Sequence, residues 1–344
     1  MSNDPARFAP FAARMADEGL PDLFIRHFAH YYDALLHGDD GLIAEDDIRP
    51  VDALDDAARL PAPYADAGRD ALSRVVTIKL NGGLGTSMGL TGPKSLLIVK
   101  EGLTFLDIIA RQALRDGAPL LLMNSFVTDA ESLAVLARYP ELDGDLPLSF
   151  VQHKQPKIAV DDCGPIDWPA DPELEWCPPG HGDLYTALVT SGMLDRLLDA
   201  GLEYAFVSNA DNLGAVLDPA ILGYLVERRL PFLMEVADRT AADRKGGHLA
   251  RRPDGGLLLR EIAQCPAGDL PAFQDIARHR YFNTNNLWVN LLALRAVLSE
   301  REYHLGLPMI RNRKTVDPRD PASPAVYQLE TAMGSAIAVF PGAE

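Results

Sequence analysis

What this chain lacks narrows its function before any motif is read. Cysteine is scarce, with only Cys163, Cys177 and Cys265 in 344 residues. They show no metal-ligand spacing and cannot all pair, which argues against a disulfide scaffold and fits a reducing cytoplasm. No apolar run reaches the length needed to cross a bilayer, and the opening MSNDPARFAPFAARM is polar and mixed rather than an apolar leader. Positive charge is in deficit: 32 Lys and Arg stand against 49 Asp and Glu, a formal net charge of −17. That balance argues against nucleic acid or an anionic membrane as partner. Internal repeats and low-complexity tracts are also missing. What is present, at 47% hydrophobic content, can bury one large core or two modest ones.

The chain is organised around residues 75–99, VVTIKLNGGLGTSMGLTGPKSLLIV. An apolar, β-branched run from Val75 to Leu80 reads as a buried strand. A loop carrying Gly82, Gly83, Gly85, Gly89 and Gly92 follows, and Ser95 to Val99 resume an apolar strand. Glycines at that density bring bare backbone N–H groups close to a ligand, and a cradle of N–H groups suits phosphate oxygens. Lys94 at the loop exit can add a full positive charge to the same anion. Two familiar phosphate loops are excluded. Gly83, Gly85 and Gly89 are spaced one residue too long for the dinucleotide fingerprint, and Pro93 separates Gly92 from Lys94 where a P-loop needs them adjacent. The bland alternative is a glycine-rich surface turn with a solvated lysine. Five glycines directly after a core strand favour the ligand-binding reading.

Upstream, residues 1–70 read as a helical lead-in. Ala6 to Asp17 and Leu20 to Leu36 carry apolar residues at three- and four-residue spacing, and the stripe Phe24, Phe28, Tyr31, Tyr32 reads as packing. Prolines 50, 61 and 63 mark an irregular connection. From Val75 onward strands and helices alternate. Thr104 can cap a helix ending at Gly117, and Thr128 with Glu131 forms a capping-box pattern. Strands are expected at Pro119 to Met123, Leu148 to Gln152, Tyr204 to Ser208, Phe232 to Val236 and Tyr281 to Asn290, with a hairpin across Pro253-Asp254-Gly255-Gly256. Helices are expected over Asp183 to Leu198, from Asp218-Pro219, and finally over Val326 to Phe340. Repeated βα units imply a mainly parallel sheet covered on both faces, with ligands beyond the carboxyl ends of its strands.

Polar residues recur at those strand ends. Asn81 and the glycines follow the first strand, Gln152 ends another, and Asn209 and Asp211 end a third. Asp211 is placed either to ligate Mg²⁺ or to cap a turn, and the residue types alone favour neither. Gly180-His181-Gly182 precede an expected helix start, where N–H groups attract anions, although a lone histidine is more often structural. Gln152 offers a paired acceptor and donor, which suits a uracil edge, or else it is a solvated strand end. Lys154 and Lys157 either raise the local potential or are surface charges. Asn283, Asn285 and Asn286 on an apolar strand need partners for their amides, and sugar hydroxyls are apt ones. No Ser or Cys nucleophile with a partnering acid is evident.

At KLNGGLGTSMG with GPKS the chain resembles the eukaryotic-type UTP–glucose-1-phosphate uridylyltransferases, the UDP-glucose pyrophosphorylases. FVQHKQPKI, PPGHGD, FVSNADNLG, KGG and FNTNN repeat the resemblance in the family's order, over nearly the whole chain after about residue 70. It implies a Rossmann-like, GT-A-like nucleotidyltransferase domain over residues 71–344, preceded by the helical segment 1–70. It implies Mg²⁺-dependent in-line transfer that makes UDP-glucose and pyrophosphate from UTP and glucose 1-phosphate, without a covalent intermediate. Leu80, Asn81, Gly82, Gly83, Gln152, Gly180, Asn209 and Asp211 would meet the nucleotide, with Gln152 on uracil. Lys94 would neutralise the triphosphate as the catalytic residue and Asp211 would hold Mg²⁺. His181, Asn283, Thr284 and Asn285 would hold the sugar phosphate, with Lys245-Gly246-Gly247 near the sugar. In the family a further strand with a phosphate-contacting lysine and a C-terminal β-helix domain come later. The chain ends at Glu344 before either, which implies a fragment, or a homologue that lost part of its site. A UDP-sugar or UDP-N-acetylhexosamine pyrophosphorylase, or a non-catalytic UDP-sugar binder, is the competing reading.

Overall fold

The computed structural model describes residues 4–83 and 92–344. Val75–Asn81 is the axis of an eight-stranded sheet, and six of its seven residues are buried. Its side chains alternate between two faces, as a strand's period of two requires. Val76 and Ile78 join one core cluster with Leu121, Met123, Val207 and Leu287, whereas Val75 joins Phe206, Leu222 and Trp288 on the other face. Tyr204–Asn209 and Leu120–Asn124 flank the axis in parallel, and Ser149–Val151 continues outward in parallel. On the far side Tyr281–Asn290 runs antiparallel to Tyr204–Asn209 and carries Phe232–Asp238 and the His248–Arg251/Leu257–Arg260 hairpin. Six strands therefore share one direction, and only Tyr281–Asn290 and Leu257–Arg260 oppose it. The sheet is mixed and mainly parallel.

Helices cover both faces. Phe105–Asp116 starts in a capping box between Thr104 and Asp107 and ends at Gly117 with φ +68°. Pro219–Glu227 is capped by Asp218, whose side chain accepts from the Ala220 N–H. The lead-in helices Pro5–Asp17 and Asp22–Leu36 pack Phe11, Met15, Phe28 and Tyr32 against Ile158, Met309 and Leu329. These aromatics are packing, as their spacing implies.

Several local expectations are corrected. Residues 326–340 do not form a helix: Ala325–Glu330 is a strand between Ile310–Thr315 and Ile158–Ala159, followed by a 3₁₀ turn at Met333–Ala338. Its helical spacing yields because two strand edges stand ready to pair with it. The helix expected over residues 183–198 breaks at Gly192, φ +70°, into Leu184–Thr190 and Met193–Asp199. Lys94–Leu96 is a 3₁₀ turn before the short strand Ile98–Lys100. Thr128 precedes the helix Asp129–Leu136 without capping it. Its hydroxyl instead donates to the Asn81 carbonyl, at 2.8 Å.

Candidate active site

The strand register aligns one edge of the sheet. Asn81 pairs with Asn124, Leu80 with both Met123 and Asn209, and Asn124 with Val151, so Gln152 emerges beside them. Beyond this edge lies a cavity of about 280 Å³. Leu80, Asn81, Gly82 and Gly83 form its floor, and Lys94, Gln152, Gly180, His181, Asn209 and Asp211 line the rest. Every residue expected to meet the nucleotide is thus in one place. Gly85 and Gly89 lie outside the described residues.

Close approach explains Gly82. A Cβ there would come within 2.6 Å of Gln152 Nε2, so only glycine leaves the amide where it lies. Gln152 is anchored through its own N–H to the Asn124 carbonyl, at 2.8 Å, which leaves the side chain free of that duty. The Asn81 side chain, at the cavity floor, is also engaged within the protein. Its amide donates to Asn124 Oδ1 at 2.7 Å and Ser132 Oγ at 2.8 Å, so the side chain ties its strand to the neighbouring strand and to the helix Asp129–Leu136.

The Gly180-His181-Gly182 turn is clasped by the C-terminal segment. Gly182 N–H donates to the Thr331 carbonyl at 2.8 Å, and Thr331 N–H donates to the Pro179 carbonyl at 3.0 Å. The Met333 N–H donates to His181 Nδ1 at 3.0 Å. Nδ1 is therefore the acceptor and Nε2 carries the proton. Burial lowers the His181 pKa to about 4, which keeps the ring neutral. Sequence reasoning misses this clasp, because residues 331–333 carry no motif and fall within the stretch expected to be helical.

Lys94 and Asp211 face each other across the cavity mouth, Nζ to Oδ2 at 3.6 Å, with side chains 36% and 47% exposed. Lys94 is held by its own N–H to the Gly83 carbonyl, at 3.1 Å. The other two candidate cations do not reach the cavity. Lys154 pairs with Glu18 at 2.8 Å and lies over the Trp176 ring, and Lys157 is buried with Nζ on the Val316 carbonyl. Cys177 is buried as well, and desolvation pushes its thiol up to about 12, the reverse of a nucleophile's needs.

Asn283, Thr284 and Asn285 lie outside the cavity lining, on the next strand. The pairing of Phe232–Asp238 with Tyr281–Asn290 jumps from Glu235↔Asn286 to Val236↔Asn283, so Thr284 and Asn285 bulge out of the ladder. Asn285 has φ +58°, a conformation asparagine tolerates better than most residues. Asn283 Nδ2 donates to Asn285 Oδ1 at 2.9 Å, and Thr284 Oγ1 donates to the Glu235 carbonyl at 2.7 Å. Asn286, also singled out, bonds Glu235 and Asn212. Glu261 was not anticipated; half-buried beside Asn283, its carboxyl is held above the usual range by desolvation. Gly247 accepts the Asn283 N–H at 3.0 Å, which puts the Lys245-Gly246-Gly247 loop beside these residues.

The model of the UTP–glucose-1-phosphate uridylyltransferase family matches residues 25–344. The chain belongs to the UTP–glucose-1-phosphate uridylyltransferase family. The Saccharomyces cerevisiae UTP–glucose-1-phosphate uridylyltransferase is 44% identical over 279 residues, 79% of this chain and 55% of the yeast protein. The probable enzyme of that name from Schizosaccharomyces pombe is 43% identical over 80% of this chain and 55% of its own length. The chain therefore spans about half the length of the curated relatives it matches. Among solved structures, a mutant UDP-glucose pyrophosphorylase from Leishmania major superposes with a TM-score of 0.93 at 44% identity, covering 100% of this chain and 75% of that one. A second Leishmania mutant, in complex with UDP-glucose, gives 0.91 at 44% identity over 98% and 74%. The family's fold and this chain's mixed sheet agree throughout. No helix among the described residues is long and apolar enough to cross a membrane.

Proposed function

We propose that this chain is the nucleotidyltransferase part of a UTP–glucose-1-phosphate uridylyltransferase, making UDP-glucose and pyrophosphate reversibly from UTP and glucose 1-phosphate. The observation that carries this reading is the strand-end cavity itself: glycine backbone and the Gln152 amide on one side, with Lys94 and Asp211 3.6 Å apart at its mouth. A bare glycine edge beside a paired donor and acceptor suits uracil, and the mouth suits a polyphosphate. That a Leishmania relative 44% identical to this chain was solved in complex with UDP-glucose supports a UDP-sugar as ligand.

In this reading a phosphate oxygen of glucose 1-phosphate attacks the α-phosphorus of UTP. A new P–O bond forms as the bond to the bridging oxygen breaks, and the electron pair leaves with pyrophosphate. Phosphoryl chemistry of this kind needs positioning and charge neutralisation rather than a protein nucleophile. Gly82 and Gly83 hold the nucleotide, Gln152 and Gly180 the base, and Leu80 and Asn209 pack beside it. Lys94 leaves its pairing with Asp211 to meet the phosphates. Neutral His181 donates from Nε2 to the sugar phosphate, and Asn283, Thr284 and Asn285 hold the sugar. A lone exposed carboxylate fits Mg²⁺, which takes few protein ligands and fills its shell with substrate oxygens and water. Asp211 would hold the ion, and its charge would offset that of the phosphates.

We further propose a division into a helical segment, residues 1–70, and a catalytic domain, residues 71–344, in a cytoplasmic protein. Three free thiols fit a reducing compartment. The test is calorimetry with UTP and UDP-glucose, paired with a Mg²⁺-dependent pyrophosphate-release assay across a panel of sugar 1-phosphates. Binding with turnover on glucose 1-phosphate is expected. Binding without pyrophosphate release would make the chain a UDP-sugar binder, and no uridine nucleotide binding at all would overturn the proposal.

A further inference from the structure

Beneath the candidate site lies a charge that the fold does not need. Lys79, on the axial strand, is only 2% exposed. Among the described residues no carboxylate comes within ion-pair distance of its ammonium. Burying an unpaired cation costs several kcal/mol, and a methionine of similar length would fill the same space without that cost. Lys79 Nζ donates to Ser208 Oγ at 2.7 Å and to the Ala215 carbonyl at 2.8 Å, and lies 5.6 Å from the Phe206 ring centre.

Those two acceptors bracket the segment that carries Asp211. Ser208 is the last fully buried residue of its strand, and Ala215 is where the chain returns to the core. Between them the backbone is held by local turns: Asn212 N–H donates to the Asn209 carbonyl at 3.2 Å, and Gly214 N–H donates to Asn212 Oδ1 at 3.1 Å. Asn212 also reaches Asn286 Oδ1, at 3.4 Å. Turn bonds of this kind fix the shape of the loop, and Ala210 N–H to the Leu80 carbonyl and Gln112 Nε2 to the Leu213 carbonyl, each at 3.0 Å, hold it at two points along its length. Lys79 adds a further and charged tether, because one ammonium holds both ends against the strand that feeds the glycine loop.

We infer that Lys79 is a positioning residue that sets the placement of Asp211 relative to the Gly82–Gly83 backbone. The inference rests on the reading of Asp211 as the metal-holding carboxylate. Desolvation lowers the Lys79 pKa to about 8, opposed by more distant Asp116 and Glu235, so the ammonium is still the main form at neutral pH. Its full charge strengthens both hydrogen bonds.

Two measurements on Lys79→Met test this. Hydrogen exchange, which needs no ligand, should show faster exchange in peptides covering residues 208–217 with the rest of the sheet unchanged. Mn²⁺ affinity in the presence of UTP, read by electron paramagnetic resonance, should fall about 10- to 100-fold, as for other outer-shell partners of a metal site. Uridine binding without metal should stay constant, a split that a general loss of structure would not give. Ser208→Ala removes one of the two acceptors and should move both readouts less, in the same direction; it carries the test if Lys79→Met does not fold. Unchanged exchange over residues 208–217, or unchanged Mn²⁺ affinity in a folded variant, would overturn the inference. If the parent protein fails to bind Mn²⁺ with UTP, the proposed function fails instead, and exchange alone decides whether Lys79 holds the loop.

Discussion

Replacing Gly82 by alanine adds a single methyl group at the point where the glycine backbone and the Gln152 amide meet. That Cβ would fall 2.6 Å from Gln152 Nε2 and 3.0 Å from its Cδ. Gly82 is not among the glycines with positive φ, so alanine fits the backbone without strain. The obstacle is the far end of a flexible side chain, which can swing aside at little cost to folding. What is lost is the amide's place against the base. Two hydrogen bonds of about 0.5–1.5 kcal/mol each amount to about 1–3 kcal/mol, or roughly five- to a hundredfold in uridine-nucleotide affinity. Calorimetric titration with UTP and a thermal melt, run on Gly82→Ala, Gln152→Ala and the double variant, measure this directly. Each single substitution should weaken binding and leave the melt nearly unmoved. The double variant should be scarcely worse than Gln152→Ala, because the methyl then has nothing to displace. Fully additive losses, or a Gly82→Ala protein that melts early yet binds UTP normally, would refute the reasoning.

Asp211→Asn should abolish Mg²⁺-dependent pyrophosphate release while UDP-glucose binding stays measurable by calorimetry; turnover unchanged across a Mg²⁺ titration would remove the metal assignment. Lys94→Ala deletes a charge-assisted phosphate contact, about 1.5–3 kcal/mol, and should weaken UTP and pyrophosphate binding roughly ten- to a hundredfold while leaving uridine binding and the melting temperature alone. Glu45 joins buried Arg260 at 2.7 Å and also pairs with Arg278 and His279, so Glu45→Ala leaves the buried guanidinium with Asp269, at 3.3 Å, as its remaining carboxylate and should cost about 1–3 kcal/mol in urea denaturation. Burial lowers the pKa of His27 to about 3 and of His304 to about 4, so the unfolded chain takes up protons first as pH drops below the ordinary imidazole value of 6.5. Their contribution is complete above that value and is lost as pH falls, with an unfolding midpoint lower at pH 5 than at pH 7, and His27→Leu should flatten that slope.

Much of this molecule was legible in one dimension. Val75 to Leu80 announced a buried strand because every residue on both faces is apolar or absorbed, and such strands occur where helices cover a sheet. Thr104 with Gly117, and Asp218 with Pro219, marked helix ends through side-chain chemistry that acts within a few residues. The strand-end rule gathers Gly82, Gln152, Asn209 and Asp211 toward one edge, since parallel strands in register must present their carboxyl ends together.

Other features depended on partners distant in the chain. Thr128 looked like a helix cap, but the Asn81 carbonyl, 47 residues away, uses its hydroxyl instead. Ala325–Glu330 looked helical until two strand edges drew it into a sheet. Asn81 ends its strand at the cavity, yet Asn124 and Ser132 take its amide. The tautomer of His181 is set by the backbone of Met333, 152 residues later, and Lys79 reads as one more strand residue until Ser208 and Ala215 close around it. Local propensity and spacing determine which elements form, because those energies act between near neighbours. Which polar groups face the ligand and which are spent holding the fold depends on what packing brings within 3 Å, and only the tertiary structure decided that.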